Sequence, residues 1–115
     1  MVVPDDQAFF DEFGVQPEPT DDVGGRLVRF ENADGEERLE VFLGLTEQSV
    51  SYRWWRDGVL VAEVVRDAVT DVRIAGRART SLEIEYGVPG FHGVLCVDVH
   101  PKVVVTDRIL RVGAS

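Results

Sequence analysis

The sequence predicts a mostly β protein, a small antiparallel sandwich or barrel of roughly seven or eight strands preceded by a short N-terminal helix. Apolar and polar residues alternate with a period of two through most of residues 26–115. Turn-forming residues interrupt that alternation at short, regular intervals. The 115 residues, 44% of them hydrophobic, suffice for one core but not for two. We therefore expect residues 26–115 to form a single β-rich domain.

A short acidic helix is predicted within residues 1–14. Asp5 or Asp6 can cap its first turn, and Gly14 is a natural end point. Helical spacing places three aromatic rings on one side: Phe9, Phe10 and Phe13. So short a helix is unstable alone and must pack against the body of the protein. Residues 15–25 carry two prolines and two glycines and are predicted to be a linker.

Successive strands are predicted after the linker. Asp57–Gly58 is the strongest turn signal, because both central residues of a type I′ hairpin turn need a positive φ angle. Further turns are expected at residues 32–35, at Gly76 and at residues 87–90. The predicted strands cover residues 26–31, 38–43, 49–56, 59–65, 69–75, 79–86, 93–99 and 102–112.

Residues 59–73 leave an alternative open. Leu60, Val64 and further apolar residues also recur at helical spacing, which would give an α+β fold with an antiparallel sheet on a central helix. The stripe is mostly valine, however, and the branched valine side chain is restricted in a helix. Three acidic residues would also stack on the outer face of that helix: Glu63, Asp67 and Asp71. We therefore favour two strands.

Negative charge is concentrated at the N-terminus. The chain carries 21 acidic and 12 basic residues, for a net charge of −9. Residues 1–25 hold seven of the acids and no base, so the remainder, with fourteen acids and twelve bases, is nearly balanced. This distribution is opposite to the basic footprint of nucleic-acid-binding proteins. It favours a protein partner with a basic surface.

The sequence also indicates the cellular compartment and whether the chain associates with a membrane. The first residues have neither the basic nor the apolar region of a signal peptide, and no apolar run approaches the ~20 residues that span a bilayer. The single cysteine, Cys96, cannot form an internal disulfide. We therefore expect a cytoplasmic protein with no membrane partner.

The segment 91–100 holds the chain's one thiol and both imidazoles, all at even positions and hence on one face of a strand. Asp98 and His100 are the best-placed candidates for metal ligands. Residues two apart on a strand are about 6.5–7 Å apart, however, and no neighbouring cluster supplies a third ligand. Cys96 lies too far from either histidine for a nucleophilic pair. We expect neither a metal nor a cofactor, and lean against enzymatic activity.

Trp54 and Trp55 must face opposite sides of a strand. Trp54 shares its face with apolar residues, so we expect it inside and opposite Val61. Trp55 shares its face with Arg53 and is expected outside, where tryptophan and arginine commonly make the strongest contacts of an interface. The phenylalanine-bearing helix either covers this patch or engages a partner beside it.

Three arginines flank the expected turn at Gly76 and either contact a partner or hold the acidic arm. The full set of candidate partner-binding residues is Trp55, Arg53, Arg73, Arg77, Arg79, Phe9, Phe10 and Phe13.

We interpret the chain as a non-enzymatic protein-binding module that uses its acidic arm and its aromatic and arginine patch. In size and acidity it is similar to small, one-domain bacterial immunity proteins, which block a toxin by contact. This resemblance rests on size and charge rather than on a motif, and it implies that the chain is an inhibitor. One alternative is a small-molecule-binding barrel or sandwich, with or without enzymatic activity, in which Tyr52, a tryptophan and an arginine converge on a pocket. Another is a homo-oligomer joined through an unpaired edge strand.

Overall fold

The computed structural model describes residues 1–21, 23–32, 35–76, 80–88, 90–99 and 103–111. The chain forms two antiparallel sheets packed as a sandwich, with one short helix at the N-terminus, so the predicted fold class is confirmed. The elements are α1 (Asp6–Phe13), β1 (Glu18–Pro19), β2 (Arg26–Glu31), β3 (Glu37–Gly44), β4 (Ser49–Arg56), β5 (Val59–Arg66), β6 (Val69–Gly76), β7 (Thr80–Val88), β8 (Phe91–Asp98) and β9 (Val104–Arg111). The two-residue β1 lies inside the segment predicted to be a linker.

Strands adjacent in sequence are neighbours in each sheet. The first sheet has five strands in the order β1-β2-β3-β4-β5, and the second has four in the order β6-β7-β8-β9. The chain crosses between the sheets at Asp67 and Ala68, where Ala68 takes a φ of 54°. The Val69 N–H then donates to the Gln48 carbonyl at 2.9 Å, which fixes this crossing to the turn between β3 and β4.

The alternative helix over residues 59–73 is not formed, because this segment supplies β5 and β6. Asp57 and Gly58 have φ angles of 50° and 76°, as a type I′ turn requires, and they join β4 to β5 in a hairpin. The branched valines thus follow their strand preference. The helical spacing of these valines does not correspond to a helix in the structure.

Apolar side chains from alternate positions of both sheets fill the interior, as the period of two in the sequence predicts. The fully buried side chains include Val28, Leu39, Val41, Leu43, Leu82, Ile84, Leu95 and Val97.

Tyr52 and Arg53 line a cleft of about 250 Å³, but neither tryptophan lines it. The interior filled by valine, leucine and isoleucine therefore argues against a small-molecule site between the sheets.

The helix α1 begins at the Asp5 cap, whose carboxylate accepts from the Ala8 N–H at 2.8 Å, and is followed by Gly14 at a φ of 72°. Phe9 is 1% exposed, and its ring lies 6.3 Å from that of Phe13. The expectation that all three rings share one side is wrong, because Phe10 is 52% exposed. As a core residue, Phe9 is also unavailable to a partner, which corrects its place among the candidate contacts.

The acidic arm is attached to the body. Phe13 packs edge-on against Phe30 of β2 at 5.1 Å, and the Arg26 Nε pairs with the Asp6 carboxylate at 3.3 Å. Val2 forms a parallel bridge with Asp71 at the start of β6. The helix therefore covers the core beside β6. Among the described residues, no helix is long and apolar enough to span a membrane.

Candidate functional site

The tandem tryptophans lie on opposite faces of the first sheet, as predicted. Trp54 packs against the core and donates its Nε1–H to the buried carboxylate of Glu37 at 3.0 Å. Trp55 lies on the outer face, where the Arg38 guanidinium stacks 4.3 Å from its ring centroid. The predicted partner of Trp54 is wrong, because a bulge between the two tryptophans places Ala62 opposite it.

Arg38 was not singled out in the sequence, although it holds Trp55. It lies directly opposite Trp55 because β3 and β4 pair in that register. Arg53, expected beside the same ring, instead pairs with Glu63 of β5 at 3.1 Å. Both Arg53 and Trp55 remain on the outer face, next to the hairpin that ends in β5.

Arg73 is held within its own sheet. Its guanidinium contacts three carboxylates, those of Glu85 at 2.7 Å, Glu83 at 2.9 Å and Asp71 at 3.3 Å. The Glu85 hydrogen bond is the main cause that raises the pKa of Arg73, and the three carboxylates more than offset its positive charge. Arg73 also lines a cleft with Glu12 of the acidic arm, and its docking of that arm stays a prediction. Arg77 and Arg79 lie outside the described residues.

The outer face of β8 carries a half-buried thiol. Cys96 lines a cleft of about 330 Å³ with Glu83, Val94, Thr106 and Arg108. Burial, reinforced by the charge of Asp98, raises the pKa of the Cys96 thiol and keeps it protonated. Asp98 accepts from the Ser81 hydroxyl at 2.5 Å. His100 lies outside the described residues, within which no three potential ligands are grouped to hold a metal.

The edge strand β5 exposes a row of apolar side chains. The exposed fractions are 63% for Val59, 46% for Leu60, 48% for Val61 and 56% for Val65. These four, which we name the β5 edge, are nearly half of the large apolar side chains exposed in the described part of the chain. The consecutive apolar residues at its start did not indicate an edge, because such runs are typical of strands that are buried on both faces.

The other sheet edges are covered or interrupted. β1 is two residues long and ends in Pro19. β6 is partly covered by the N-terminal segment, since the Val72 N–H donates to the Val2 carbonyl at 2.8 Å. β9 carries the charged residues Asp107 and Arg108. Short strands, proline, charge and bulges are devices that keep edges from pairing, and of these β5 has the bulge at Val61 and the charge of Glu63. Its eight residues contain no proline, and four of its apolar side chains remain exposed.

Arg66, the last residue of β5, fixes the end of the edge to the second sheet. Its Nε donates to the Asp107 carboxylate at 3.0 Å, and its guanidinium lies 5.6 Å from the Tyr86 ring centroid. The Tyr86 hydroxyl donates to the other Asp107 oxygen at 2.5 Å. Burial, followed by that hydrogen bond, raises the pKa of Tyr86, so the phenol remains a donor. β5 is thus held at one end by contacts with the second sheet, while several of its other side chains are exposed.

No family model matches the chain, and no curated protein sequence matches it. Among solved structures, it is similar to a chain of the contact-dependent growth inhibition toxin–immunity protein complex from Klebsiella pneumoniae 342, with a TM-score of 0.83. The match covers 94% of this chain and 96% of that one, at 11% sequence identity. At that identity the likeness shows a shared fold across the whole sandwich.

Proposed function

We propose that this chain is a protein-binding module of the immunity type, which neutralises a toxin by direct contact. The β5 edge is the observation that carries the proposal, because it exposes apolar side chains on a terminal strand of an otherwise filled sandwich. Exposed apolar side chains that are grouped together and bordered by charged residues are typical of interaction sites. The fold shared with a chain of a toxin–immunity complex supports the inhibitory role.

The surface around the β5 edge has the chemistry of an interface. Trp55 and Arg38 stack on the outer face, and Leu60 lies directly opposite Trp55. A preformed aromatic and arginine pair beside exposed leucine offers the residue types that dominate binding energies. The net charge of −9 favours a partner with a basic surface and would speed its association.

The proposal predicts that the chain binds a basic protein and that it protects cells against the toxicity of that protein. The purified chain, immobilised and exposed to a lysate of its native cells, should retain a basic protein at low salt and less of it at high salt. That protein, expressed alone, should arrest growth, because an immunity protein is needed only against a toxin. Co-expression of this chain should restore growth, measured as colony counts.

Two results would count against this account. Failure to retain any protein at either salt concentration contradicts protein binding. Retention of a protein whose expression does not slow growth contradicts the immunity role and leaves a binding module of another kind. A Glu47→Lys variant, which reverses the charge of an exposed residue in the β3–β4 turn, serves as a control for surface charge. It should protect cells as well as the original chain does.

A further inference from the structure

We propose that β5 accepts an extended segment of the partner as a sixth strand of the first sheet. On its outward face, that segment carries a lysine or arginine beside Glu63, with apolar residues two positions to either side. This inference rests on the proposed function and specifies the chemistry of the partner. Main-chain hydrogen bonds would supply affinity, and side chains at alternate positions would supply selectivity.

The backbone of β5 is available for such pairing. In the order of the first sheet, β5 is terminal and pairs only with β4 among the described strands. An edge strand directs part of its N–H and C=O groups away from its sheet, where a further strand can bind them. The Arg66–Asp107 contact holds one end of β5 in place, so less conformational entropy is lost on docking.

A row of alternating charge crosses the outer face of the sheet and ends at Glu63. Arg29, Glu40, Arg53 and Glu63 lie directly opposite one another on successive strands. The Arg29–Glu40 distance is 2.9 Å and the Arg53–Glu63 distance is 3.1 Å. Oppositely charged residues facing each other across strands stabilise the pairing. The next position in this row, on a docked strand, therefore favours a basic residue.

The row itself shows that one charged side chain can serve two strands. Arg29 contacts Glu40 on one side and Glu18 of β1 on the other, at 2.9 and 3.0 Å. Glu63 contacts Arg53 on one side only among the described residues and is 51% exposed. It is therefore placed to accept a second cation from a strand added beyond β5.

Apolar residues flank Glu63 on the same face. Val61, Glu63 and Val65 are exposed, whereas the intervening Ala62 and Val64 are half-buried and packed against the core. A docked strand would therefore meet valine, glutamate and valine at successive outward positions. The complementary pattern is apolar, basic and apolar at alternate residues, which defines the partner segment.

A second copy of this chain does not fit that pattern. Residues directly opposite one another on paired strands share a face, so Glu63 could meet only the outward-facing residues of another β5. None of these is basic: the face carries Leu60, Val61, Glu63 and Val65. The single base of β5, Arg66, lies on the other face and binds Asp107. Two copies, each with a net charge of −9, would also repel.

The test measures the Kd between the purified toxic partner and variants of the whole chain. Glu63→Lys and Val65→Lys should each raise the Kd at least about tenfold. Ile109→Lys, a matched change at an exposed apolar residue of the β9 edge, and Glu47→Lys should change it by less than about twofold. Thermal unfolding of each variant checks that the sandwich is intact. Reversal of the partner's basic residue to glutamate should restore binding to Glu63→Lys.

The outcomes separate this inference from the proposed function. Tight binding and growth protection by both β5 variants, with loss of binding in Ile109→Lys, would overturn β5 docking and leave the immunity role standing. Absence of any partner would remove both. Sedimentation of the free chain as a monomer supports a foreign occupant. A dimer that Val65→Lys dissociates would assign the edge to a second copy and overturn the proposal.

Discussion

Replacing Phe9 with alanine should lower the free energy of unfolding by about 3–5 kcal/mol, because it opens a cavity where the helix meets the core. Phe9 is 1% exposed and contacts Phe13, whose ring in turn packs against Phe30. A helix of eight residues has little stability of its own, so the loss should also free the acidic arm. Denaturant unfolding monitored by tryptophan fluorescence measures the change.

The neighbouring residue is the matched control. Phe10 is 52% exposed, and its replacement by alanine should alter the unfolding free energy by no more than about 0.5 kcal/mol. Equal effects of the two substitutions would show that α1 does not pack as described. An effect of Phe10→Ala on partner binding alone would instead extend the interface to the exposed side of the helix.

Gly93→Ala is expected to cost about 1–3 kcal/mol through overpacking. Gly93 lies opposite Tyr86 in the second sheet, and a methyl group at this position would overlap the Tyr86 ring. The ring cannot move aside without leaving its hydrogen bond to Asp107 and its contact with Arg66. Thermal unfolding of the variant measures the loss.

A double-mutant cycle identifies the cause of this cost. In a Tyr86→Ala background, the ring atoms that a methyl group at Gly93 would overlap are absent, so Gly93→Ala should cost much less than in the original chain. An unchanged cost in both backgrounds would place the conflict in the backbone of β8 rather than at the tyrosine ring.

Local chemistry explains why much of the fold follows from the sequence. The positive φ angles at Asp57 and Gly58 belong to one short turn, and the Asp5 cap requires only residues within one helical turn. The alternation on β3 needs only a sheet with one buried face. Such features depend on neighbours in the chain, and these predictions are confirmed.

Features of the candidate site depend on contacts between distant residues. The bulge at the tandem tryptophans shifts the register, so that Ala62 rather than Val61 lies opposite Trp54. No residue type near the bulge indicates this shift. The stacking of Arg38 on Trp55 follows from the register of β3 and β4. Helical spacing put Phe10 with the other rings, but the direction from which α1 meets the core decides which rings are buried.

The identity of the edge strands is likewise a property of the whole sheet. Glu63 has an ordinary alternating neighbourhood in the sequence, and its position at the end of a charged row appears only when four strands are aligned. The valines around it have strand propensity whether or not another strand covers them. Order within the sheet therefore determines that these valines are exposed.

If the sandwich binds its protein partner along β5, the backbone of that strand should become protected in the complex. Amide hydrogen exchange, measured on the free chain and on the complex, detects this protection. Binding along β5 should slow exchange within Val59–Arg66 and leave Arg26–Glu31, near the other edge of the same sheet, unchanged. Unaltered exchange in β5, together with new protection on β9 or on the outer face of the second sheet, would contradict it.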